Sequence, residues 1–206
     1  MWAFESSPAR RRQPGTARQT GVAAVEFALV AILFFMLLFF TIDLSRAIYM
    51  WNTLREVSRR AATAAANTDV ADQAAKDLLR QNAVFRTTPG PLAWGAPVTD
   101  QHIRIDYFSL ARDANGAQTL QAIPTANLPA CPARNRLNCE TDQNAGNCVR
   151  FVRVRLCATG TDESSCDPIP YRSLTSLYSF SVNLPTATMV VKAETLGYQP
   201  GMALCP

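Results

Sequence analysis

The chain has 206 residues, a formal net charge of +4, and six cysteines. The charge is uneven: residues 1–20 hold Arg10, Arg11, Arg12 and Arg18 against Glu5, a balance of +3, so the rest is close to neutral. That pattern excludes a nucleic-acid partner, which needs a basic patch on a folded face, and leaves material for one ordinary domain with a modest core.

Residues 1–21 read as a basic leader. Pro8, Pro14 and Gly15 stand among the arginines, and no apolar period is present, so this segment is expected to be disordered. The stretch 22–42 follows, with Glu26 as its single ionisable side chain. A helix of that length spans roughly 30 Å, the thickness of a bilayer core. A secretory signal has a shorter apolar region and a small-residue cleavage site. Here the uncharged run from Phe27 to Ile42 is too long, and the nearest such site, Ser45-Arg46-Ala47, carries an arginine.

The helical period continues past the apolar run. Leu44, Ala47, Ile48, Trp51, Leu54, Val57, Ala61, Ala62 and Ala65 recur at three- and four-residue steps. One helix is therefore expected from about Val22 to about Ala66, with 43–66 as an extension beyond the membrane segment. Tyr49 and Trp51 suit either a membrane interface or packing on the domain. A second amphipathic helix follows, with Asp69 as its expected N-cap and Val70, Ala71, Ala74, Ala75, Leu78 and Leu79 on its apolar side.

After the Pro89-Gly90-Pro91 and Gly95-Ala96-Pro97 loop the period changes to two. Ile103, Ile105 and Tyr107 alternate with Arg104, Asp106 and Phe108, a strand pattern. Asn115-Gly116 signals a hairpin turn into a return strand at 118–123. Residues 124–147 read as loop, 149–156 as a strand, 174–182 as helix or strand, and 187–193 as the last strand. The fold class is α+β: a long N-terminal membrane-spanning helix, a second helix and a small antiparallel sheet. Its domain, 67–206, is expected to pack a sheet face on the outer half of the long helix.

Cys131, Cys139, Cys148, Cys157, Cys166 and Cys205 all follow the apolar run. An even count without a Cys-x-x-Cys pair points to disulfides in an oxidising compartment, against scattered free thiols in the cytosol; six cysteines allow fifteen pairings. The positive-inside count is nearly tied, since Arg46, Arg55, Arg59 and Arg60 follow the span. The cysteines decide it: leader in the cytoplasm, domain outside.

Glu26 is the sharpest clue. An ionised group within a membrane span is functional by default; the plain alternative is a side chain that snorkels to the headgroups. Cleavage after Gly21 would give Val22 a free amine, one helical turn from Glu26 on the same face. The pair would then act as a register key for helix packing. Gly21 suits a cleavage site because it lets the backbone approach a catalytic centre; otherwise it only breaks the helix before the span.

The stretch Gly21-Val-Ala-Ala-Val-Glu26-Phe27-Ala-Leu-Val, its apolar run and Asp43-Leu-Ser-Arg46 resemble the TadE-like proteins of tight-adherence (Flp-type, type IVb) pilus assembly. The resemblance implies a pilin-like fold and, for some members, cutting after the glycine by a membrane prepilin peptidase, with Glu at the fifth mature position. On this chain the cleavage pair is Gly21 and Val22, and the assembly residues are Glu26 and Phe27. Flp pilins usually have Tyr where Phe27 stands, and many TadE-like members have Pro and a second Glu near the positions of Ala31 and Asp43. Uncut members exist too. Ala193-Glu194-Thr195-Leu196-Gly197 also has the look of these proteins. The partners implied are the lipid bilayer, the major pilin and other pseudopilins, the inner-membrane assembly platform and the prepilin peptidase.

An enzyme is not expected. His102 is the only histidine, which excludes His-pair metal sites and leaves one residue for any nucleophile to use; it reads as a strand cap. The cysteine spacings do not fit zinc, no Gly-rich phosphate loop occurs, and no cofactor or metal is expected. The expected function is a minor pilin-like or pseudopilin component anchored in the bacterial inner membrane. The alternative is an uncleaved single-pass anchor for a periplasmic binding or scaffold domain.

Overall fold

The computed structural model describes residues 20–160, 165–175 and 182–205. The described chain falls into two compact units divided between Thr41 and Ile42. Helix α1, Thr20–Ala65, contributes to both.

In the first unit α1 is apolar on every side. Val22, Phe27, Leu33 and Leu37 are all exposed, Phe27 by 75%. A helix that is hydrophobic all round belongs in a core or in lipid, and among the described residues no core covers this one within its unit. It is long and apolar enough to cross a membrane. Phe35 stacks with Phe39 and meets Phe34 edge-on along the helix.

The second unit begins on the same helix, where one face turns inward. Met50, Leu54, Val57, Ala61, Ala62 and Ala65 are buried at three- and four-residue steps. They form one core with Leu79 and Ala83 of α2 (Gln73–Ala83) and with residues of the sheet. Each fully buried large apolar side chain stabilises by about 1.5–3 kcal/mol, and the alanines let the helix approach closely. The expected stripe is corrected at its upper end. Leu44, Ile48 and Trp51 are exposed, and Asp43 and Met50 take the inward positions. Asp43 can do so because hydrogen bonds described below satisfy it; a hydropathy period reads any aspartate as outward. Tyr49 Oη donates to the Ala93 carbonyl at 3.3 Å, so it touches the 89–98 loop of the domain.

Asp72, and not Asp69, caps α2: its carboxylate accepts from Ala75 N at 3.0 Å. Asp69 instead accepts from Ala71 N, holding the preceding turn and leaving Val70 buried. The helix is therefore rotated from its expected setting. Leu79 and Ala83 face the core, while Leu78 is 56% exposed.

The sheet is antiparallel in the order β2-β1-β3-β4, with β1 Ile103–Arg112, β2 Gln118–Ala122, β3 Phe151–Leu156 and β4 Thr188–Lys192. A 3-10 turn, Asp100–His102, leads into β1. The hairpin at Asn115-Gly116 forms as expected: Gly116 has φ +86°, a setting that favours glycine, and Asp113 accepts from Asn115 N and Ala117 N. Alternation along β3 buries Val152, Val154 and Leu156; the inner side of β4 offers Met189 and Val191 to the same core.

The stretch expected as loop at 124–147 contains a helix, α3, Pro132–Thr141. Its sequence has no apolar stripe; Pro132 at the first turn starts it, and disulfides pin both ends. Cys131 bonds Cys205, and Cys139 bonds Cys148. The third bridge is Cys157–Cys166, so two of the three nine-residue spacings between cysteines each close a local loop. Of the segment read as helix or strand at 174–182, residues 176–181 lie outside the described residues; Val182 is not in a strand, and Asn183 bridges Pro170.

Candidate assembly and anchoring site

Two groups of residues on α1 carry the candidate chemistry. The first lies in the N-terminal unit. Gly21 is the second residue of α1, and the space where a Cβ would stand is open. Val22, Glu26 and Phe27 are exposed. Val22 and Glu26 share a face by their four-residue spacing. Glu26 makes no hydrogen bond or ion pair among the described residues.

The second group lies just after the apolar run, in the second unit. Asp43 is 4% exposed. Its Oδ1 accepts from Tyr171 Oη at 2.7 Å and from Leu174 N at 3.1 Å, and its carbonyl oxygen lies 3.1 Å from the same hydroxyl. Arg46, less than one turn further along α1, gathers three backbone carbonyls. It donates to Trp94 O at 2.9 Å, Ala96 O at 2.6 Å and Arg172 O at 2.6 Å. Its guanidinium also stands 5.3 Å from the centre of the Tyr171 ring, within cation–π range. Burial, and next the hydrogen bond to Asp43, push the Tyr171 hydroxyl up to about 12, so at neutral pH it is a donor. A helix face, the 89–98 loop and the 170–174 segment are thus tied at one place. Bonds to an ionised acceptor or donor are worth about 1.5–3 kcal/mol each.

The remaining singled-out residues are structural. His102 Nδ1 accepts from Thr99 N at 3.0 Å before β1, a capping role; burial lowers its pKa. Glu56 holds Arg59 and Arg60 at 2.8 Å on the exposed side of α1, and those hydrogen bonds lower its pKa to about 2.

Comparison with protein families reaches the same stretch of helix. Residues 21–63 match the TadE-like protein family. The TadE-like segment covers about a fifth of the chain and includes Gly21, Val22, Glu26, Phe27, Asp43 and Arg46. The matched stretch lies within the helix that is long and apolar enough to cross a membrane. Comparison with curated proteins and with solved structures gave no match.

The partners of Asp43 and Arg46 lie outside the TadE-like segment. Tyr171 is 128 residues from Asp43, and Trp94, Ala96 and Arg172 contribute only backbone carbonyls. No local pattern marks any of the four. The one signal available was Asp43 itself, an acidic residue placed between an apolar run and an amphipathic stripe.

Proposed function

We propose that the protein is a minor pilin-like, or pseudopilin, component of Flp-type (Tad) pilus assembly, without catalytic activity of its own. In this reading the α1 span sits in the bacterial inner membrane, with the basic leader cytoplasmic. The unit beginning at Ile42 is periplasmic, which the three disulfides favour. A prepilin peptidase cuts between Gly21 and Val22. The new Val22 amine then neutralises Glu26, on its own helix or on a packed neighbour. Neutralisation lowers the cost of a carboxylate in lipid only when two helices meet at the right axial offset, so Glu26 sets register with the major pilin and other pseudopilins on the inner-membrane platform.

The observation that carries this reading is the exposed Glu26, partnerless among the described residues, on a helix apolar on every side. The test is N-terminal sequencing of the mature protein together with co-purification of a Glu26→Ala variant. A start at Val22, and a variant that still inserts but loses its pilin partners, are expected. An intact Met1 with unchanged co-purification would make α1 an uncleaved anchor for a periplasmic scaffold domain and overturn the register role.

A further inference from the structure

Strand β1 outruns its neighbour. β2 pairs only with Phe108–Arg112, so Ile103–Tyr107 has β3 on one side and, among the described residues, no strand on the other. Backbone groups of successive residues in an antiparallel ladder point to opposite sides. The phase is set by three bonds. His102 O and Phe108 O accept from Cys157 N and Arg150 N on the β3 side, while Tyr107 O accepts from Ile123 N on the β2 side. Odd-numbered residues therefore face away from β3. The N–H groups of Ile105 and Tyr107 and the carbonyls of Ile103 and Ile105 point along the uncovered edge. Ile103 N–H is already taken by Asp100 O.

A groove of about 1140 Å³ follows this edge. Lys76 and Arg80 of α2 line it on the core side of the sheet, and Arg104, Arg153 and Arg155 line it on the opposite side. Arg80 is paired with Asp77 at 2.7 Å, and Arg153 and Arg155 share the single carboxylate of Asp106 at 3.1 and 2.9 Å; with Asp100, the lining sets three carboxylates against five cations, a balance of +2 among the described residues. Tyr107, 4% exposed, also lines the groove, and its buried hydroxyl has no hydrogen-bond partner. Desolvation pushes that hydroxyl up to about 12, which keeps it a donor.

We propose that the β1 edge at Ile103–Tyr107 is a docking site for an extended acidic segment of a partner protein, which adds to the sheet as a further strand. The backbone groups select an extended chain, the mode of recognition by strand addition. The edge is about 17 Å long, enough for five residues. Side chains of an added strand alternate between faces. One set meets Arg80 and the Tyr107 hydroxyl, the other Arg153 and Arg155. An occupant with acidic residues at both odd and even positions meets both walls. The same cations repel the matching edge of a second copy, as charged groups at open edges do, so self-pairing is disfavoured and the occupant is a different chain.

The experiment uses the full-length protein in detergent micelles and a fluorescein-labelled ten-residue peptide of Glu-Glu-Val-Val repeats, which places Glu on both faces of an added strand. Saturable binding by fluorescence anisotropy is expected, with amide exchange across 103–107 slowed at least tenfold in the complex. A Lys/Val peptide should bind at least tenfold more weakly, and so should the Glu/Val peptide N-methylated on its pairing side. Arg80→Glu should weaken binding tenfold. Should that variant melt early, the N-methylated peptide makes the same test on the unaltered protein. Equal binding of the Lys/Val or N-methylated peptide, or unchanged exchange at 103–107, overturns the proposal.

Discussion

Replacing Asp43 by alanine removes the acceptor that joins α1 to the 170–174 segment. Two hydrogen bonds to an ionised carboxylate are lost, from Tyr171 Oη at 2.7 Å and Leu174 N at 3.1 Å. At about 1.5–3 kcal/mol each they sum to about 3–6 kcal/mol. Two effects reduce this. Tyr171 keeps the Asp43 backbone carbonyl at 3.1 Å, and the variant no longer buries a carboxylate, whose desolvation opposes folding. The net loss is about 2–4 kcal/mol. For a unit of this size, 1 kcal/mol moves the melting temperature by about 2–4 °C, so a fall of about 5–15 °C is expected. The assay is thermal unfolding of the full-length protein in micelles, followed by near-ultraviolet circular dichroism. Asp43→Asn, which keeps an acceptor oxygen without the charge, should fall between the two. A double-mutant cycle with Tyr171→Phe should give a coupling of about 1–3 kcal/mol. A melting temperature for Asp43→Ala within 1 °C of the parent, or additive single effects, would refute the reasoning.

Two further outcomes follow from the same unit. Loop-closure entropy makes the Cys131–Cys205 bridge, with 74 residues of separation, worth about 4 kcal/mol, against about 2.5 for Cys139–Cys148 and its nine; paired serine substitutions should show that order in denaturant unfolding. The Tyr107 and Tyr171 hydroxyls, both raised to about 12, contribute stability that is complete below pH 10 and lost as pH climbs to 12. At least two of the five tyrosines should ionise only near pH 12 in a spectrophotometric titration, and unfolding should become easier over the same interval.

Much of this fold was legible because its elements carry strong periods. The apolar run of α1, the alternation along β1, β3 and β4, and the Asn115-Gly116 turn each state their structure within a few residues. α3 was not legible, since Pro132–Thr141 has no apolar stripe and is held by cysteines whose pairing no local pattern declares. The rotation of α2 was missed because Asp69 and Asp72 are both competent caps, and only the packing of Val70 and Leu79 chooses between them. The site divides the same way. Gly21 and Glu26 stand out as residue types in an apolar helix. The tie of Asp43 to Tyr171 depends on a contact across 128 residues, which neither end announces.

Helix α3 also bears on which bridges the folded domain can hold. Cys131 stands eight residues before Cys139, whereas its partner, Cys205, is 74 residues away. A bond between the first two cysteines would not fit this fold. Once Pro132–Thr141 is helical, their backbones stand about 12 Å apart along its axis, beyond the roughly 7 Å that a disulfide can span. In the folded domain the helix is a spacer that holds its two cysteines apart, leaving Cys131 to Cys205 and Cys139 to Cys148.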